Sequence, residues 1–178
     1  RKPAYIENAR YLMSDAGNLA AYLYAIRENP RERKYYDRIV STIQQVYPQF
    51  KDFDIEPSRL DDQNVLLNWR EKGNSEYLFG PHQLSDGTVR FMALATLFLQ
   101  PPLKLPSVIV IDEPELGLHP HAITVLAGLI HGVSDKCQVV LSTQSTRLVD
   151  EFEVGQIVVV ERDRKENCSR CRRPDPRA

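Results

Sequence analysis

Apolar residues recur at helical spacing through the first third of the chain. Leu19, Tyr22, Leu23 and Ile26 fall on one face of a helix, and Gly17-Asn18 in front of them supplies an asparagine to cap it. Asn29-Pro30 breaks this helix. A second helix, beginning near Arg31, aligns Tyr36, Ile39, Val40, Ile43, Val46 and Tyr47 until Pro48 stops it. Both carry charged residues on their other faces, the pattern of surface helices in a small subdomain. The period then changes. Residues 53–57 and 65–70 read as strands, Lys72-Gly73-Asn74 as a turn, and residues 76–79 as the returning strand of a hairpin.

Gly80-Pro81 marks a loop, and beyond it strands alternate with helices. Residues 89–99 form an almost wholly apolar helix, and residues 107–111 are a β-branched run of the kind buried on both faces of a sheet. A helix over 122–130 and strands over 138–141 and 157–160 follow. Strand, helix, strand, helix, strand implies a parallel sheet with covering helices. The predicted fold is therefore α/β, mainly a parallel sheet with flanking helices, preceded by a small helical and β-hairpin subdomain. The chain divides into 1–83, the helical and hairpin region; 84–162, the α/β lobe; and 163–178, a polar basic tail expected to fray.

Composition narrows the partners. Hydrophobic residues make up 42% and charged residues 26% of 178, which is globular rather than disordered. The net charge of −1 announces neither nucleic acid nor membrane. Its distribution is more telling: residues 1–83 balance 12 basic against 12 acidic, residues 84–160 carry 4 against 8, and residues 161–178 carry 7 against 4. An acidic middle suits a metal-ion site better than a DNA grip. No apolar run approaches the roughly 20 residues of a membrane span, so no membrane partner is expected. The 3 cysteines (Cys137, Cys168, Cys171) are too few for a disulfide scaffold and point to a reducing cytoplasm. Cys168-x-x-Cys171 is half a zinc motif without a second pair, which reads as two free thiols in the tail.

The chemistry collects in three places. Four apolar strand formers end abruptly in Asp112-Glu113-Pro114, and a buried strand delivers its last residues to the sheet edge where α/β folds bind ligands. There Asp112 can hold Mg²⁺ through water and Glu113 can orient and deprotonate an attacking water; the alternative is a strand end whose acids face solvent. Leu84-Ser85-Asp86-Gly87-Thr88 opens the apolar helix. Ser85 or Asp86 can cap it, its free N–H groups favour an anion, and Gly87 leaves room for a phosphate at the backbone; an ordinary cap is the alternative. In Leu141-Ser142-Thr143-Gln144-Ser145 a strand runs into small polar residues. Gln144 would lie beside Asp112 if the strands are parallel neighbours, or the segment is a turn capped by Ser145.

Taken in order, LSDGT at 84–88, VIVIDEPE at 108–115, LGLHP at 116–120 and STQS at 142–145 resemble the signature motif, Walker B, D-loop and switch region of ABC-type ATPases. The nearest resemblance is to soluble AAA-family members related to RecF and to the structural-maintenance-of-chromosomes (SMC) proteins, and it covers about residues 18–162. The resemblance implies a P-loop NTPase fold and hydrolysis of ATP with Mg²⁺ at a composite site between two copies of the protein. Asp112 would serve the metal, Glu113 the water and Gln144 the γ-phosphate, while Ser85, Asp86 and Gly87 complete the opposite copy's site. ATP-driven homodimerisation is implied, and the family association adds DNA maintenance or phage defence, with DNA or an effector nuclease as further partners. Asp86 replaces the glycine of many transport ATPases, and Gln144 stands where a histidine is common. No Gly-x-x-x-x-Gly-Lys-[Ser/Thr] occurs; in this family that loop lies N-terminal to every motif found, so the chain reads as the C-terminal half of the ATPase. The alternative is a catalytically silent interaction module that keeps the fold and dimer surface.

Overall fold

The computed structural model describes residues 4–6, 9–57, 63–163 and 168–174. A two-residue strand β1 (Ala4–Tyr5) leads to helices α1 (Leu19–Glu28) and α2 (Arg33–Val46). Strands β2 (Phe50–Asp54), β3 (Asn64–Val65), β4 (Asn68–Glu71) and β5 (Asn74–Phe79) follow. Helix α3 (Asp86–Leu99), strand β6 (Val108–Asp112), helix α4 (Pro120–His131), strand β7 (Gln138–Ser142) and the short helix α5 (Thr146–Val149) make the α/β part. A hairpin of β8 (Val159–Asp163) and β9 (Cys168–Arg172) closes the described chain.

Helix α1 buries Leu19, Tyr22, Leu23 and Ile26, and α2 buries Tyr36, Ile39 and Ile43, the faces their spacing predicts. Asn18 does not cap α1. Its buried side chain accepts from the Met13 N–H at 2.9 Å and donates to the Tyr11 carbonyl at 2.7 Å, folding the preceding loop onto the helix. The strand expected over 65–70 is broken in two. Asn68 N–H bonds the Leu66 carbonyl at 2.9 Å, and this bend sends β3 to pair with β1 and β4 to pair with β2. The antiparallel sheet has the order β2-β4-β5. Trp69 at its centre stacks on Phe79 with ring centroids 4.5 Å apart, and Phe50 meets Phe53 edge-on at 4.8 Å, the offset and tilted arrangements that aromatic quadrupoles favour.

One core cluster runs from Ala4 through α1, α2 and Trp69 to Phe91, Met92, Ala95, Leu99 and Ala122. It crosses the division expected between residues 83 and 84, so that division separates stretches of sequence and not separate cores. A buried bond from the Tyr22 hydroxyl to Gln100 Oε1 at 2.6 Å and an ion pair of Lys104 with Glu32 at 2.8 Å tie the two stretches together. A second cluster joins Leu94, Phe98, Ile109, Leu126, Ile130, Val133 and Cys137. Helix α3 contributes to both clusters from two adjacent faces, which is why so much of its surface is apolar.

Strands β6 and β7 are parallel, in register from Val108↔Gln138 to Asp112↔Ser142. Only one face is covered. Ile109 is 5% exposed, whereas Val108 and Val110 are 51% and 74% exposed, so the expected burial on both faces does not hold. The third strand expected in this sheet also goes elsewhere: β8 pairs antiparallel with β9. Of the tail expected to fray, residues 168–172 form β9, held to β8 by Arg172 and Glu161 at 2.9 Å. The Arg172 bond and charge keep the Glu161 carboxyl below its ordinary range.

Among the described residues no helix is long and apolar enough to cross a membrane, and no three His, Cys, Asp or Glu side chains gather as a metal cluster. Cys171 is exposed and free. The Cys168 side chain lies outside the described residues, and with it the Cys168–Cys171 reading.

Candidate functional site

The parallel register of β6 and β7 decides which side chains meet. Because Asp112 stands opposite Ser142, the residues after each strand emerge side by side at the carboxyl edge of the sheet, where α/β folds place ligands. Three side-chain rungs cross the gap. The Ser142 hydroxyl donates to Asp112 Oδ1. Gln144 Nε2 donates to Glu113 Oε1 at 3.1 Å. The Thr143 hydroxyl donates to Glu115 Oε1. The structure thus brings Asp112, Glu113 and Gln144 together, as the sequence predicts if the strands are neighbours.

Glu113 is held on all sides. Its N–H donates to the Ser142 carbonyl at 2.9 Å, extending the sheet by one bond. Its carbonyl accepts from the Leu116 N–H at 3.2 Å and from Arg90 Nη1 at 3.0 Å. Its φ is 44°, the left-handed region that residues with a Cβ rarely occupy. This backbone turns the chain sharply out of β6, so that Glu113 and Asp112 face the edge of the sheet while Pro114 is buried behind them. Such outliers cluster where function over-determines the backbone.

The 112–120 segment ends in a second turn. Gly117 has φ 77° and the Leu118 N–H bonds the Glu115 carbonyl at 2.9 Å. His119 caps α4 through its ring and Pro120 occupies the first helical turn. Ser145 caps α5 by accepting from the Leu148 N–H at 3.4 Å. The capped turn expected as the alternative for 142–145 and the placement of Gln144 are therefore both real.

Ser85 caps α3, accepting from the Thr88 N–H at 3.0 Å, and Asp86 is the exposed acid of its first turn, where a negative charge suits the helix dipole. Gly87 has a reason the sequence did not suggest. It is buried, and a Cβ built on it would stand 2.0 Å from the Gly117 carbonyl oxygen. Its missing side chain lets two backbone segments of the same chain touch, a requirement separate from the expectation that it clears space for a phosphate. Ser85 and Gly87 border a pocket with Gly117, Leu118 and His119, and none of the rung residues lines it.

Sequence reasoning missed Arg90, Thr143 and the acceptor role of Glu115. Glu115 Oε2 is buried without a hydrogen-bond partner among the described residues. For Arg90 a signal existed: it lies three residues after Gly87, on the same face of α3.

For a Mg-nucleotide the donor set is suitable. Asp112 is exposed at the strand end with one oxygen fixed by Ser142 and the other without a partner among the described residues, and a single carboxylate with waters is what Mg²⁺ accepts beside phosphates.

A family model described as "AAA domain, putative AbiEii toxin, Type IV TA system" matches residues 4–150. No curated protein matches in sequence. Among solved structures, an SMC ATPase studied for ATP-driven dimerization and DNA-stimulated activation is 14% identical with a TM-score of 0.61, over 80% of this chain and 86% of that one. An Smc head bound to the C-winged helix domain of ScpA is 15% identical at a TM-score of 0.59, over 85% of this chain and 48% of that one. The SMC head domain from Thermotoga maritima is 14% identical at a TM-score of 0.54, over 88% of this chain and 52% of that one. At these identities the likeness establishes the fold. The chain spans about half the length of the last two.

Proposed function

The chain belongs to this AAA-domain family of ATPases, and from that premise we propose that it supplies the hydrolytic half of an ATP site completed between two copies of the full-length protein. The observation that supports the reading is the bond of Gln144 to Glu113 at 3.1 Å beside Asp112, at the carboxyl edge of two parallel strands. A carboxylate whose orientation is fixed by a hydrogen bond can serve as a general base toward a water within reach. Glu113 takes the proton of the attacking water, and the Gln144 amide fixes the carboxylate and can pass a hydrogen bond to the γ-phosphate. Asp112 would hold Mg²⁺, which would supply neutralisation of charge on the phosphate oxygens. Ser85, Asp86 and Gly87 present a capped helix start to the nucleotide of the second copy, whose phosphate the free N–H groups favour. ATP then joins the copies and hydrolysis releases them, a switch whose output in DNA maintenance or phage defence rests on the family association.

The test is Glu113→Gln in the full-length protein. The amide keeps size and hydrogen bonding but takes no proton, so ATP should bind as in the wild type and hold the dimer together while hydrolysis nearly stops. Normal turnover in this variant removes Glu113 from the role of base. Failure of the wild-type protein to bind Mg-ATP favours the silent interaction module.

A further inference from the structure

We propose that Arg90 is a positioning residue for Glu113: its guanidinium holds the Glu113 carbonyl and with it the left-handed turn that presents the Glu113 carboxylate to Gln144. Its kinetic consequence rests on the hydrolytic reading above; its structural consequence does not.

An exposed arginine on a helix surface ordinarily extends into water. Arg90 is exposed, yet Nη1 donates to the Glu113 carbonyl at 3.0 Å across 23 residues of sequence, and among the described residues it forms no ion pair. A cationic donor makes a stronger bond to a carbonyl than a neutral one. The acceptor is not an ordinary carbonyl either, because it belongs to a non-glycine residue at φ 44°, a conformation that persists only where surrounding bonds enforce it. The Ser142 carbonyl fixes the N–H of Glu113 at 2.9 Å. On the carbonyl side the local turn offers only the Leu116 N–H at 3.2 Å, so Arg90 supplies the charged contact to that peptide.

A second contact from the same helix face reinforces the first. Gly87, one turn before Arg90, lies against the backbone of Gly117, its Cα 3.6 Å from where a Cβ on Gly117 would sit. Helix α3 therefore grips the 113–117 segment at both ends, by a guanidinium at Glu113 and by backbone contact at Gly117. The helix is itself anchored in two core clusters, through Phe91, Met92 and Ala95 on one face and Leu94 and Phe98 on the adjacent one. A change at the Ser85 end of α3 is thus transmitted to the carboxylate of the same chain through Gly87 and Arg90.

The experiment compares Arg90→Ala and Arg90→Lys with wild type in the full-length protein, by ATP binding, single-turnover hydrolysis and hydrogen exchange of the Leu116 amide. Arg90→Ala should bind ATP within about twofold of wild type and hydrolyse it roughly ten- to a hundredfold more slowly, the scale of a misplaced catalytic group. Added methylguanidinium should restore part of that rate to Arg90→Ala and none to wild type. Leu116 exchange should quicken in Arg90→Ala, and in Arg90→Lys, which keeps the charge at an exposed position, both effects should be smaller. Leu116 exchange unchanged in Arg90→Ala overturns the proposal whatever the rate of hydrolysis. So does a hydrolysis rate that falls only in step with ATP binding. Should the wild-type protein not hydrolyse ATP, the hydrolytic reading fails, and quickened or unchanged Leu116 exchange still decides for or against Arg90. If Arg90→Ala does not fold, Arg90→Lys decides by the same two measurements.

Discussion

Gly87 and Gly117 meet backbone to backbone, so closely that a Cβ on Gly87 would stand 2.0 Å from the Gly117 carbonyl oxygen. No side chain can rotate out of that clash, because the obstructing atom is main chain. Gly87→Ala should therefore push the 113–117 segment off α3 and destabilise the chain by about 1–3 kcal/mol, the range for overpacking. Gly117→Ala has room, at 3.6 Å from the nearest atom, but its φ of 77° makes it strained by about 1–2 kcal/mol for an L-residue. Urea unfolding of the two variants measures both, and a Gly87→Ala midpoint equal to wild type contradicts the contact.

Gln144→Ala removes the amide that bonds Glu113 without touching the strand or Asp112. In the full-length protein it should slow hydrolysis by about ten- to a hundredfold, within the range ascribed to general-base catalysis, and leave ATP affinity nearly unchanged. A loss confined to affinity would instead assign Gln144 to nucleotide binding.

Two buried tyrosines set an alkaline limit. Burial, with the Asp52 hydrogen bond at 2.6 Å and the Asp52 charge, pushes the Tyr36 hydroxyl well above its usual range, and burial does the same for Tyr22. Above a pH of about 10 the unfolded chain releases these protons while the folded chain retains them, so stability falls as pH rises through that region. Tyr36→Phe should lower stability at neutral pH through the lost bond and flatten the alkaline decline by one proton per molecule. Chemical denaturation at several pH values between neutral and strongly alkaline gives both quantities, and an unaltered alkaline slope rules out the Tyr36 contribution.

Leu126 is fully buried in the cluster beneath the parallel strands. Leu126→Ala should cost about 2–5 kcal/mol, the transfer and cavity terms together. A smaller loss, measured by thermal or urea unfolding, would mean that α4 settles into the space.

The sequence disclosed the fold class and where the candidate site residues lie, and less of the contacts between distant segments, for physical reasons. Asp112, Glu113 and Gln144 were legible because strand ends deliver their chemistry locally and the β-branched runs before them are unambiguous. Ser85 was legible as a cap for the same reason: its partner, the Thr88 N–H, is three residues away. Contacts between distant segments were not. Arg90 reaches Glu113 and Gly87 reaches Gly117 only after α3 and the 112–120 segment pack, and no local pattern reports that approach. Asn18 has the identity of a cap, but burial turned its side chain to Met13 and Tyr11 instead. The basic tail looked too polar to order. Cross-strand pairing of β8 with β9 needs little apolar surface when Glu161 and Arg172 pair diagonally across the strands.

The left-handed backbone of Glu113 sets durability against chemistry at a single position. At φ 44°, glycine is the residue the backbone prefers, and Glu113→Gly should exceed Glu113→Ala in stability by about 1 kcal/mol, the reverse of the order found inside helices. Both lose the carboxylate equally, so the gap between them isolates the main-chain strain. Selection for sturdier variants of this chain would therefore converge early on the position whose side chain the proposed hydrolysis depends on most.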